Sequence, residues 1–198
     1  MSSTTLILLN GTSSSGKTSL ASALQEILPS PYMGFSSDIL DQYIHPRFQA
    51  TWEAKRAFLP ALLQGHFHCM KALVKTGNWV VADVVLEEKI LVAEAAKALW
   101  DQRAYLIGVH CNAEELKRRE GQRGDRALGM AIGQLDKVHA HDSYDFEVDT
   151  TATDPTTCAA QIAAFLAEDP VPHALAGLKK AWQLDLEDPS FELDWWEA

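Results

Sequence analysis

The sequence has few cysteines, a deficit of basic residues and no long hydrophobic run. Its three cysteines, Cys69, Cys111 and Cys158, include no C-x-x-C pair, so the sequence offers neither a disulfide framework nor a closed zinc site. The early apolar run Leu6–Leu9 has no basic residue before it and is too short for a secretory signal or a membrane span. We therefore expect a cytoplasmic protein that has no membrane partner.

The charge balance excludes a second class of partner. Seventeen Lys and Arg residues stand against 27 Asp and Glu residues, which gives a net charge of −10, so a phosphate backbone would be repelled and nucleic acid is not expected to bind.

The chain of 198 residues suffices for one domain with a core. We predict a domain over residues 1–169, followed by an acidic, tryptophan-containing extension over 170–198. This extension is expected to pack on the domain, as a core-closing helix or a lid, or on a partner chain, so a homo-oligomer is one alternative.

Strand-like apolar runs alternate with helix-length segments along the chain. The predicted strands are Leu6–Leu9, Tyr32–Phe35, Trp79–Leu86, Tyr105–Val109 and Tyr144–Val148. The predicted helices are Gly16–Leu28, Ile39–Ile44, Trp52–Val74 with a break or kink at Pro60, Glu88–Leu99, Glu114–Glu120, Ala127–Val138 and Thr156–Leu166. Such alternation predicts an α/β fold in which a doubly wound, five-stranded, mostly parallel sheet is covered on both faces.

A phosphate-binding motif lies between the first predicted strand and the first predicted helix. The segment Gly11–Thr18 reads GTSSSGKT and fits G-x-x-x-x-G-K-[ST] at every fixed position. Its glycines let consecutive N–H groups curl around an anion at the positive end of a helix, whereas a plain Gly/Ser-rich turn is the alternative. We predict that Thr18 holds Mg²⁺ and that Lys17 bridges the β- and γ-phosphates of ATP. The predicted nucleotide-binding residues of the loop are Gly11, Ser13, Ser14, Ser15, Gly16, Lys17 and Thr18.

The size of the chain and the absence of an N-K-x-D segment favour a small-molecule kinase over a GTPase or a large ATPase. Such a kinase needs a carboxylate that orients the acceptor hydroxyl. Asp38 follows the second predicted strand and is one candidate, with Ser36 as a neighbouring substrate contact, although Asp38 equally suits a helix N-cap. Asp83 ends the third apolar run and is a second candidate, either for the Mg²⁺ site or for the acceptor, with a purely structural role as the alternative.

An arginine-rich segment follows the fourth predicted strand. Its cationic residues have the spacing i, i+4 and i+7, which places them on one helix face: Arg119, Arg123 and Arg126. Gly121 and Gly124 interrupt this helix, which favours a mobile lid over residues 115–128 that brings the arginines to the phosphates. The alternative is a solvated charged helix in which Glu115 pairs with Arg119.

Taken together, these residues resemble the chloramphenicol phosphotransferases, small P-loop kinases related to the zeta-toxin-like kinases. The resemblance runs from Leu6 to Phe165. The motifs that carry it are Leu9-Asn10-Gly11, Ser13-Ser14, Asp38, Ala82-Asp83-Val84, Gly108-Val109-His110-Cys111, Arg119-Glu120, Arg123-Gly124-Asp125-Arg126, Gly129-Met130-Ala131 with Gln134, Val138-His139, Tyr144-Asp145 and Glu147-Val148-Asp149-Thr150.

The resemblance implies the strand order 2-3-1-4-5, a general base at Asp38, and a lid arginine at Arg126 with Arg123 beside it. It also implies transfer of the γ-phosphate of ATP to a hydroxyl group, as in chloramphenicol 3-O-phosphotransferase. Kinases of this shape accept different alcohols. A kinase of a nucleotide, a sugar nucleotide or another metabolite is therefore the first alternative, and a non-catalytic nucleotide-sensing module is the second.

Overall fold

The computed structural model describes residues 4–39, 42, 44–48, 51, 54, 58–123 and 129–184, without the side chains of Asp38, Leu59, Pro60 and Arg123. Five parallel strands form one sheet in the order β2-β3-β1-β4-β5. The strands are β1 Leu6–Asn10, β2 Tyr32–Ser36, β3 Trp79–Val84, β4 Ala104–His110 and β5 Phe146–Asp149. This architecture confirms the predicted fold class and the implied strand order.

Seven α-helices and two short 3₁₀ turns, Ser37–Ile39 and Pro46–Phe48, complete the described part of the chain. The helices are α1 Lys17–Ile27, α2 Leu59–Lys75, α3 Lys89–Leu99, α4 Ala113–Arg123, α5 Met130–Val138, α6 Pro155–Ala167 and α7 Ala174–Ala181. None of the helices within these described ranges is long and apolar enough to cross a bilayer.

Alternate residues of the central strand face opposite layers of the core. Leu6 and Leu8 pack in the cluster that includes residues of α2, α3 and α7, whereas Ile7 and Leu9 pack in the cluster that includes residues of α1 and α6. All four are fully buried, as expected for a parallel strand covered on both faces. The sheet is therefore a rigid base, and the loops at the carboxyl ends of its strands are free to form a site.

Several strand boundaries differ from the predicted ones because side chains replace ladder hydrogen bonds. The strand β3 ends at Val84 and not at Leu86, since the Leu86 N–H donates to Asn10 Oδ1. The strand β5 begins at Phe146 and not at Tyr144, since the Asp145 carboxylate accepts the Leu106 N–H. A side-chain acceptor cannot be recognised from apolar periodicity alone.

Proline and glycine positions explain where the helices begin and continue. The helix α2 begins at Leu59 with Pro60 in its first turn, which agrees with the predicted break at Pro60, and the missing N–H removes no helical hydrogen bond there. The helix α4 continues through Gly121 to Arg123, so Gly121 does not interrupt it. The helix α5 begins only at Met130, after Gly129 in the left-handed region with φ +91°.

The start of the 170–198 extension packs on the sheet. Ala174, Leu175 and Leu178 of α7 are buried in the same cluster as Leu6 and Leu8. The Asp145 carboxylate accepts the N–H groups of residues 173 and 174 and thereby caps α7. Residues 185–198, which include Trp195 and Trp196, lie outside the described residues.

Candidate active site

The loop between β1 and α1 has the backbone conformation of an anion-binding nest. Gly16 has φ +93° and Ser14 has φ +61°, both in the left-handed region. Alternation of this kind turns successive N–H groups toward one point, and α1 begins at the next residue, Lys17. Gly11 starts the loop where the chain runs against Val109 of β4, and a side chain at Gly11 would meet the Val109 carbonyl oxygen. The loop is thus a compact cradle built directly on the sheet.

Three hydroxyl oxygens of this cradle are buried and lack hydrogen-bond partners among the described residues: Thr12 Oγ1, Ser14 Oγ and Ser15 Oγ. A buried hydroxyl without a partner costs free energy, and the Ser14 hydroxyl, which lines the cavity of the site, can donate to an anion there. The cradle therefore fits a phosphate chain.

Lys17 lies against the cradle with its side chain almost fully buried. Its ammonium group donates to the carbonyl oxygens of Gly11, at 2.8 Å, and Thr12, at 2.6 Å. These contacts hold a positive charge beside the cradle. A phosphate chain in the loop would lie beside that charge, as the sequence predicts.

Thr18 and Asp83 form the part of the site that suits a divalent cation. The Thr18 hydroxyl donates to Asp83 Oδ2 at 2.7 Å, and Asp83 Oδ1 is buried without a partner among the described residues. Mg²⁺ prefers hydroxyl, water and carboxylate oxygens beside a phosphate. The donor set therefore fits Mg²⁺, which Thr18 would ligate while Asp83 holds the hydroxyl or a bound water.

A cavity of about 300 Å³ joins most of the predicted residues. The predicted residues that line it are Ser13, Ser14, Gly16, Lys17, Thr18, Asp83 and Arg119. Ser37 also lines it, whereas Ser36 pairs with Asp83 in the sheet register. The backbone of Asp38 belongs to the 3₁₀ turn that begins at Ser37, and its side chain lies outside the described part.

Arg119 reaches the cradle but also forms the ion pair that the alternative interpretation expected. Its guanidinium approaches Gly16, donates to Glu115 at 2.7 Å and donates to the Thr150 hydroxyl at 3.3 Å. Hydrogen bonds from Arg118 and then Arg119 lower the pKa of Glu115 to about 2. Arg119 is therefore both fixed and close to the phosphate position. The side chain of Arg123 and all of Arg126 lie outside the described residues, so their roles and the lid stay predictions.

Sequence reasoning assigned no role to three residues that shape the cradle. The Thr150 hydroxyl donates to the Ser15 carbonyl at 2.7 Å, and Gln134 Oε1 accepts the Ser13 N–H at 2.8 Å. The Asn10 amide donates to the Val138 carbonyl at 2.9 Å. All three occur in the motifs of the resemblance, which is the only signal that could have indicated them, because their partners are distant in sequence.

A buried histidine lies under the strand edge next to the site. His66 of α2 stacks on Phe35 with ring centroids 4.6 Å apart, and neither ring nitrogen has a partner among the described residues. Burial lowers the pKa of His66 to about 4, against an opposite effect of the Asp83 charge. The ring is therefore neutral at pH 7.

Comparison with known proteins places this geometry in a family. The family model described as "Chloramphenicol phosphotransferase-like protein" matches residues 4–167, which confirms the resemblance drawn from the motifs. A Mycobacterium tuberculosis protein whose name proposes O-phosphotransferase activity is 32% identical, with 88% of each chain covered.

Solved structures show the same fold. The Mycobacterium tuberculosis APS kinase in complex with AMPPNP and APS has a TM-score of 0.66 at 15% identity, covering 83% of this chain and 98% of that chain. Shikimate kinase from Acinetobacter baumannii in complex with shikimate has a TM-score of 0.57 at 14% identity, covering 85% and 96%. Both are kinases that act on small molecules, and at these identities they show the fold of this chain and not its acceptor.

Proposed function

Because the chain belongs to the chloramphenicol phosphotransferase-like family, and is thus a phosphotransferase, we propose that it moves the γ-phosphoryl group of ATP to a hydroxyl of a small organic acceptor. The observation that carries this proposal is that the cradle, Lys17 and the Thr18–Asp83 pair line the same cavity. Chloramphenicol or a similar antibiotic is the first acceptor to test, since the family model is described by that drug.

Each residue has a defined part in the proposed transfer. Asp38 accepts the proton of the acceptor hydroxyl while the hydroxyl oxygen forms a bond to the γ-phosphorus. The bond between that phosphorus and the β,γ-bridging oxygen breaks, and ADP leaves with the electron pair. Mg²⁺, when bound, neutralises the β- and γ-phosphate oxygens. Arg119, Arg123 and Arg126 offset the charge that spreads over the moving group.

The test is a screen of hydroxyl compounds, chloramphenicol included, for an ATP-dependent mass gain of one phosphate. Asp38→Asn should abolish transfer and leave ATP affinity nearly intact, because only the proton acceptor is lost. Lys17→Ala should weaken ATP binding, because it removes the cation at the cradle. The screen would refute the proposal if the protein bound ATP tightly and modified none of the alcohols, a result expected of a nucleotide sensor. Full turnover by Asp38→Asn would refute the base assignment alone.

A further inference from the structure

The helix α5 is attached to the phosphate cradle and its surroundings at three points. At its first turn, the buried Glu120 carboxylate of α4 accepts the N–H groups of Gly129, at 2.6 Å, and Ala131, at 3.0 Å. At its last turn, the Val138 carbonyl accepts the Asn10 amide. Between them, Gln134 Oε1 accepts the Ser13 N–H of the cradle at 2.8 Å. With both ends of the helix fixed, the position of Gln134 is fixed too.

The orientation of the Gln134 amide is set by the cradle. Its oxygen accepts the Ser13 N–H, which leaves its amino group on the side of Glu87, in the segment after β3. Burial raises the pKa of Glu87, and the hydrogen bond with Gln134 acts in the opposite direction. Beside this contact, Lys137 pairs with Glu88 at 3.0 Å and holds α5 on the same segment.

The Gln134 side chain thus connects the segment after Asp83 to the third residue of the cradle. The peptide plane of Ser13 sets the direction of the N–H groups that follow it, because the backbone has only two soft dihedrals per residue. A neutral amide can hold this plane without adding charge. A carboxylate at the same position would face Glu87 and repel a phosphate chain.

We propose that Gln134 is a positioning residue for nucleotide binding, which holds the Ser13 peptide so that the cradle keeps the shape that phosphates require. This inference rests on the proposed function. It assigns to α5 a role in ATP affinity that neither the P-loop motif nor the arginine segment contains.

The test compares ATP affinity and steady-state kinetics in four variants of the full chain. Gln134→Ala should raise the Kd and KM for ATP about tenfold and leave kcat within about twofold, because a buried N–H loses its acceptor but the reacting groups stay. Gln134→Glu should raise both constants further, about a hundredfold, because two carboxylates then face each other. Gln161→Ala, which changes an exposed glutamine of α6, is the matched control and should leave ATP binding unchanged.

The rescue variant separates positioning from general loss of structure. Glu87→Gln added to Gln134→Glu removes one of the two neighbouring carboxylates and restores the wild-type net charge, so it should recover most of the lost ATP affinity, whereas a variant that merely unfolds would not recover it. The inference is overturned if Gln134→Ala binds ATP like the wild type, or if the double variant binds no better than Gln134→Glu. A wild-type protein without any ATP affinity would overturn the proposed function as well, so the two failures are distinguishable.

Discussion

Replacement of Gly11 by alanine tests how closely the phosphate cradle is built on the sheet. A Cβ at Gly11 would overlap the Val109 carbonyl oxygen and lie 2.9 Å from Ser15 Oγ, whereas ordinary contact begins at 3.4 Å. The loop or β4 must therefore move by roughly 1 Å, which costs about 1–3 kcal/mol of the free energy of unfolding. Because the obstacle is a backbone atom of a buried strand, we expect the upper part of this range. A shift of that size at the cradle should lower kcat/KM for ATP about a hundredfold.

Urea unfolding and steady-state kinetics measure the two effects of Gly11→Ala. The matched control is Gly65→Ala, because Gly65 lies within α2 and has nothing within 4 Å of the added carbon. This control should raise the free energy of unfolding by up to about 1 kcal/mol, since alanine favours a helix over glycine. A Gly11→Ala protein with wild-type stability and wild-type ATP kinetics would refute the close approach of Gly11 to β4 and the geometry derived from it.

Two further predictions concern stability. His66 has a pKa of about 4 in the folded protein against 6.5 for an ordinary histidine, so unfolding takes up a proton between these values and stability falls as the pH falls from 6.5 to 4. Relative to a His66→Leu variant, the wild type should lose up to about 3 kcal/mol over this window in urea titrations at each pH, and parallel curves would contradict the assignment. A chain truncated after Asp169 should lose about 2–5 kcal/mol in the same assay, because Leu175 and Leu178 no longer cover the sheet. Unchanged stability with altered turnover would instead support a lid.

Local sequence patterns were sufficient to predict the strands of the sheet and the phosphate-binding loop. Apolar runs separated by helix-length segments indicated five strands, and the segment Gly11–Thr18 indicated the cradle because its chemistry lies within eight consecutive residues. Apolar periodicity misplaced strand ends where a side chain from a distant part of the sequence accepts a backbone N–H group. Asn10 accepts the N–H of Leu86 in this way, and Asp145 accepts that of Leu106. The predicted helix interruption at Gly121 was also wrong, because the helical contacts of α4 outweigh the low helix propensity of one glycine.

The sequence by itself determined the phosphate-binding loop, the α/β class and the residue types available for phosphoryl transfer. Only the tertiary structure decided that Thr18 meets Asp83, that Arg119 lies beside Gly16, and that Gln134 holds the Ser13 amide. The physical reason is the range of the interactions. Backbone conformation and periodicity depend on neighbours in sequence, whereas a hydrogen bond between residues 65 or 121 positions apart exists only after parallel strands have brought their carboxyl ends to one edge of the sheet.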